Sequence, residues 1–250
     1  MHNKLLELSM NNLADEDGDI LHIPHGDMPG DKINIEKSHI EKAKVIFPEL
    51  IKKVKECATT NSKVVITVCG GSGVGKSEIA SLLAHYFENM GVGCYTLSGD
   101  NYPYRIPVYN DAERLRIFRE SAIRGMITDG EYSFERFNII HQYQLENKDS
   151  EPKNIVKYPW YESYIRNGAM GLQGYLGTEK EINFFEIQNI VKEFKSGAEK
   201  IWLKRMGRED TELWYEEVDF SEKDILIIEW THGNSKNYTG VDIPVLSNST

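Results

Sequence analysis

Gly70, Gly71, Ser72, Gly73, Val74, Gly75, Lys76 and Ser77 have the types and the spacing to hold a polyphosphate. They satisfy every fixed position of G-x-x-x-x-G-K-[ST]. Glycines let the backbone turn tightly and aim successive N–H groups at phosphate oxygens. Lys76 supplies a point charge for the β- and γ-phosphates, and the Ser77 hydroxyl is a ligand for Mg²⁺. Two acids lie farther along. Asp100 stands in Ser98-Gly99-Asp100-Asn101, and Glu229 closes Asp224-Ile225-Leu226-Ile227-Ile228-Glu229. Asp100 has the chemistry of a general base or a Mg²⁺ partner, and equally that of a turn aspartate capping a loop. Glu229 suits the second acid of a phosphate-loop site, which orients Mg²⁺ or its water shell.

The elements around these residues support that use. Val64-Val65-Ile66-Thr67-Val68 reads as a buried strand running into the glycines. After them, apolar residues at 79, 80, 82, 83, 86, 87 and 90 make one helical face, which Gly91 and Gly93 stop. The order strand, glycine loop, helix puts the helix's positive end at the bound anion. Cys94-Tyr95-Thr96-Leu97 is a second strand and 224–229 a third. Each has its acid at the C-terminal end, the ligand side of an open α/β sheet.

Composition narrows the class. The chain has 250 residues, enough for a full core. Its formal charge of -10 argues against a nucleic-acid surface, and no run approaches the ~18 apolar residues of a membrane span. The first ten residues lack the pattern of a secretory signal. Three widely spaced cysteines, Cys57, Cys69 and Cys94, read as buried thiols of a reducing compartment, so a cytoplasmic protein is expected. The seven histidines show no metal-ligand spacing.

Elsewhere, Asp15-Glu16-Asp17-Gly18-Asp19 lacks the closing Glu of a calcium loop and reads as a solvated segment. Residues 35–57 read as one or two helices broken near Pro48. Helices are expected over 110–124, with arginines 114, 116, 119 and 124 mostly on a solvated face, and over 133–145. Residues 146–157 read as a charged loop. The aromatic run at 158–164 suits stacking on a base or sugar, or, more commonly, packing inside an inserted subdomain. Gly168, Gly171, Gly174 and Gly177 read as a flexible stretch and a candidate mobile substrate loop. Asn183 caps a helix over 184–195, with Glu186 at the capping-box position and Gly197 past its end. A short strand within 198–206 precedes a polar segment, and 241–246 reads as one more strand. Tyr102, Arg105 and His232 lie close in sequence to the two acids and are candidate substrate residues. The guanine-reading Asn-Lys-x-Asp is absent, because Asn147-Lys148-Asp149 has its Asp one place early.

On Gly70 to Ser77, Leu97-Ser98-Gly99-Asp100 and Asp224 to Glu229, the chain resembles the uridine kinase and phosphoribulokinase group of small-molecule kinases. Residues 179–206 match that group in outline. The resemblance implies Mg-ATP as phosphoryl donor, a nucleoside or sugar phosphate hydroxyl as acceptor, Asp100 as general base, and Glu229 organising metal and substrate. Lys76, Asp100 and Glu229 would be catalytic, and Ser77, Asp100 and Glu229 would face the metal. Trp230 stands where the group has glycine after the acid, and no arginine-rich lid helix follows residues 241–246. Gly99-Asp100-Asn101 is also similar to adenylylsulfate kinases. A nucleotide-binding protein without transfer activity is the alternative from another class.

The expected fold is α/β, a three-layer phosphate-loop NTPase with a mainly parallel sheet. Residues 1–58 would form a mostly helical extension. Residues 59–250 would form the kinase domain, with a mostly helical insertion at 102–180. The expected partner is a small-molecule acceptor, with neither nucleic acid nor membrane.

Overall fold

A computed structural model describes residues 4–9, 23 and 25–247. The acidic segment 15–19 lies outside them. The backbone forms two compact units, one of residues 1–103 with 183–250, the other of 104–182.

The first unit is built on a parallel sheet. β1 (Val64–Cys69), β2 (Cys94–Ser98), β5 (Ile225–Glu229) and β6 (Ile243–Leu246) lie in the order β2-β5-β1-β6. β1 and β5 are buried along their whole length, which is why each reads as a continuous apolar run rather than an alternation. α1 (Lys37–Ala58) and α2 (Lys76–Asn89) cover one face, packing Phe47, Leu50, Val54, Ile79, Leu83 and Phe87 against Val64, Ile66, Val68, Ile225 and Ile227. α7 (Phe184–Lys195) is tied to the sheet by Lys195, which pairs with Asp242 at 2.6 Å. Asp242 in turn accepts the Val65 amide at 2.8 Å. This is the α/β fold of phosphate-loop NTPases.

Three expectations for this unit are corrected or refined. Pro48 does not break the first helix. It removes one rung, but the stripe Ala43, Phe47, Leu50, Ile51, Val54 and Ala58 continues in phase across it and is buried, so packing carries the helix through. The strand near 198–206 is β3 (Lys200–Met206), and it does not join the parallel sheet. It pairs antiparallel with β4 (Leu213–Asp219) in a separate two-stranded sheet. β4 falls in the segment read as merely polar: it is almost wholly exposed, so it lacks the apolar alternation that marks a half-buried strand. The Asn183 cap forms as expected, its side-chain oxygen accepting the Glu186 amide at 3.2 Å.

The second unit is helical, with α3 (Pro107–Thr128), α4 (Phe134–Leu145), α5 (Asn154–Lys157) and α6 (Tyr161–Gln173). Its core is Phe118, Ala122, Met126, Ile140, Tyr161 and Tyr164, so the aromatic run serves packing. Gly168 and Gly171 are not in a mobile loop. They lie inside α6, where α3 approaches so closely that a Cβ on Gly168 would sit 2.6 Å from Phe118 and one on Gly171 2.0 Å from Ser121 Oγ. Two of the arginines assigned to a solvated face also do structural duty. Arg119 makes a two-pronged bond to buried Asp149 at 2.7 and 3.0 Å, and Arg114 pairs with buried Glu181 at 2.6 Å. Asp149 also accepts the Tyr164 hydroxyl at 2.8 Å, which organises the stretch expected to be a charged loop. Among the described residues no helix is long and apolar enough to cross a membrane.

Candidate nucleotide and acceptor site

The parallel register decides which side chains meet. Val68, just before the glycine loop, and Ser98, at the end of β2, both pair with Glu229 across the sheet. Glu229 is thus held between the start of the phosphate loop and the turn carrying Asp100. In the loop, Gly73 (φ 75°) and Gly75 (φ 84°) adopt left-handed backbone that a β-carbon would strain. α2 then begins at Lys76, whose ammonium folds back to donate to the Gly71 carbonyl at 3.0 Å.

Glu229 is 6% exposed. Burial pushes its carboxyl up to about 7, the negative charge of Asp100 adds to the rise, and Lys76 and a hydrogen bond with Ser77 pull against it. Asp31 is a further acidic neighbour. A buried carboxylate beside a serine hydroxyl, crowded by other acids, is a donor set that a hard cation would relieve. Among the described residues no three acidic, His or Cys side chains cluster as a metal cage. Mg²⁺ is usually held by one or two carboxylates together with phosphate oxygens and water.

Asp100 is exposed, in the short turn Gly99–Asn101 that follows β2. Its neighbours on both sides are fixed by one buried carboxylate. Asp27 Oδ1 accepts the Ser98 amide at 2.7 Å and the Asn101 side chain at 3.1 Å. Asp27 Oδ2 accepts Arg205 at 2.9 Å and the Tyr95 hydroxyl at 2.9 Å. Asn101 also accepts the Met206 amide at 3.0 Å, which ties the turn to β3. The remaining anchor is Trp230. A Cβ on Gly99 would lie 2.0 Å from its indole Cγ, and the ring packs against Phe184 (5.4 Å) and His232 (5.3 Å). The tryptophan at the expected glycine position therefore fills the space beneath the Asp100 turn. Asp27→Asn is expected to cost roughly 2–3 kcal/mol in urea unfolding, because buried Arg205 would keep only the largely exposed Glu216, at 3.1 Å, as counter-charge.

The structure brings Lys76, Ser77, Asp100 and Glu229 together. Tyr102, read as a substrate residue, is fully buried rather than open to a ligand, and burial raises its phenol's pKa. His232 is half-buried against Trp230. Arg105 belongs to the second unit, where it donates to the Tyr175 hydroxyl at 3.1 Å. The sequence reading missed Asp27 and Arg205. Asp27 sits in a polar stretch with no periodic signal. Arg205 was assigned to a polar segment, although the apolar residues of the run Lys200 to Met206 marked a strand whose last residues could be buried.

Two comparisons bear on this arrangement. A family model described as "Zeta toxin" matches residues 48–124, a stretch that contains the glycine loop and Asp100. Over 203 residues, 80% of this chain, the sequence is 38% identical to the bifunctional alpha-galactosidase/sucrose kinase of Mediterraneibacter gnavus. The chain has a P-loop kinase-like fold. The match spans 17% of the length of the Mediterraneibacter protein.

Proposed function

We propose that the chain is an ATP-dependent phosphotransferase that moves the γ-phosphoryl group of Mg-ATP to a hydroxyl of a small molecule, and that the acceptor is a sugar. The observation that carries this reading is the pairing of Glu229 with both Val68 and Ser98, which gathers Lys76, Ser77, Glu229 and Asp100 at one sheet edge. The sucrose kinase in the relative's name favours a sugar acceptor over a nucleoside. The sugar phosphate expected from the phosphoribulokinase resemblance offers the same kind of hydroxyl.

In this reading the loop amides and the start of α2 bind the phosphates, and Lys76 leaves the Gly71 carbonyl to reach the β/γ oxygens. Ser77 and Glu229 would hold Mg²⁺, with Asp100 adjacent. When bound, the ion neutralises charge on the phosphate oxygens. Asp100 takes the proton of the acceptor hydroxyl as its oxygen attacks in line. Most of the rate comes from positioning and charge, since phosphoryl transfer asks little covalent chemistry of the protein. A cytoplasmic location belongs to the same proposal.

The test is ADP release from Mg-ATP against sucrose, other free sugars, sugar phosphates, nucleosides and adenylylsulfate. A free sugar is expected to stimulate release well above the acceptor-free rate. Stimulation only by a nucleoside, a sugar phosphate or adenylylsulfate would replace the acceptor class and keep the reaction. ATP binding without stimulation by any acceptor would overturn the transfer reading in favour of a non-catalytic nucleotide-binding protein.

A further inference from the structure

The first turn of α1 reaches the phosphate loop. A β-carbon built on Gly75 would lie 2.8 Å from His39 Nε2 and 2.9 Å from its Cδ2. The imidazole therefore rests against the backbone of the loop's last glycine, where a left-handed φ of 84° starts α2. Glu78 Oε2 lies 3.8 Å from the same point. The far side of the ring is fixed as well. The Glu36 amide donates to His39 Nδ1 at 3.1 Å, closing the cap of α1. A ring nitrogen that accepts a hydrogen bond carries no proton, so in the neutral ring the proton is on Nε2. The helix cap thus sets the tautomer and leaves the Nε2–H edge of the ring beside the last glycine of the loop.

We infer that His39 is a nucleotide-binding residue, its Nε2–H donating to an oxygen of the nucleotide's phosphate chain. The inference rests on the reading of residues 70–77 as a nucleotide site. A donor whose ring is already fixed by a cap loses little freedom on binding, so its bond is returned as affinity. It also gives α1 a share in the site, although that helix precedes the loop in the chain and carries no phosphate-binding pattern of its own.

The test is calorimetric binding of Mg-ADP to the wild type, His39→Asn and His39→Gln. Asparagine keeps an oxygen near the Nδ1 position to cap Glu36 and has no atom at the Nε2 position. Glutamine places an N–H donor near Nε2. His39→Asn is expected to bind about tenfold more weakly with an unchanged ligand-free melting temperature. His39→Gln is expected to stay within about threefold of the wild type. Asparagine binding as tightly as the wild type would overturn the inference alone. So would tighter binding, since the ring would then be an obstruction. Equal weakening of both variants with a matching loss of ligand-free stability would also overturn it, because His39 would then act only through the cap. A wild type that fails to bind Mg-ADP would overturn both the inference and the nucleotide reading. Phosphoryl transfer plays no part in the measurement, so an acceptor that has been misjudged leaves the inference standing.

Discussion

Glu229→Gln is expected to make the ligand-free protein more stable at pH 8 and at the same time to remove the proposed phosphotransferase activity. The carboxyl has an ordinary value of 4.5 and is pushed up to about 7 in the fold, chiefly by burial. Between those two values the folded state keeps a proton that the unfolded state releases. Stability contributed at this position is therefore complete below about 4.5 and is lost as pH rises through about 7. Over that window the loss amounts to roughly 3 kcal/mol. Glutamine has nearly the same shape and no proton to lose, so it escapes the penalty. Urea unfolding of the two proteins should give similar stabilities near pH 4 and a gap of roughly 3 kcal/mol in favour of the variant at pH 8. A gap independent of pH would mean that packing, not the carboxyl's charge, separates them. Mg²⁺ with ADP should stabilise the wild type more than the variant at pH 8, since the charge that is a burden in the empty site is what the cation uses. A site that is costly when empty and favourable when filled is what selection for binding leaves behind.

The residues legible in sequence were those whose partners are local or set by a periodic element. The glycine loop needs only its own backbone, a strand before it and a helix after it, and all three are visible in residues 64–90. Asp100 and Glu229 could be found because each ends a strand, and parallel strands put such ends on one edge. What stayed hidden depends on long-range meetings between unpatterned residues. Asp27 meets Arg205, far away in the chain, and neither neighbourhood signals the other. Gly168 and Gly171 read as flexible because glycine serves two purposes, turning a chain and letting another helix come close, and only the position of Phe118 and Ser121 tells which. Trp230 was legible as a departure from a family pattern but not as a solution. It became one only when Gly99 was found beneath its ring. The same ambiguity applies to His39, whose capping role is local to α1 and whose contact with Gly75 is not.

Asp100→Asn is expected to lower turnover by two to four orders of magnitude, about the contribution of a positioned general base, with Mg-ADP affinity nearly unchanged. The substitution keeps the size of the side chain, and the turn that carries it is held by Asp27, Asn101 and Trp230, none of which is altered. The acceptor's KM should change little, so the loss should fall on kcat, the sign of an interaction made only as the bond forms. Full turnover on an acceptor that the wild type uses would remove Asp100 from the chemistry. A second readout tests whether the two carboxylates share one site. The charge of Asp100 is one reason the Glu229 carboxyl stands near 7, after burial itself. Removing that charge should lower the pH at which Glu229 gives up its proton, and the falling limb of the stability curve should move to lower pH in the variant. A shifted limb with lost turnover would mean that the two carboxylates are neighbours and that Asp100 is needed for transfer. Lost turnover with an unmoved limb would mean that the Asp100 charge does not reach Glu229 in the folded wild type, so the two carboxylates would not share one site.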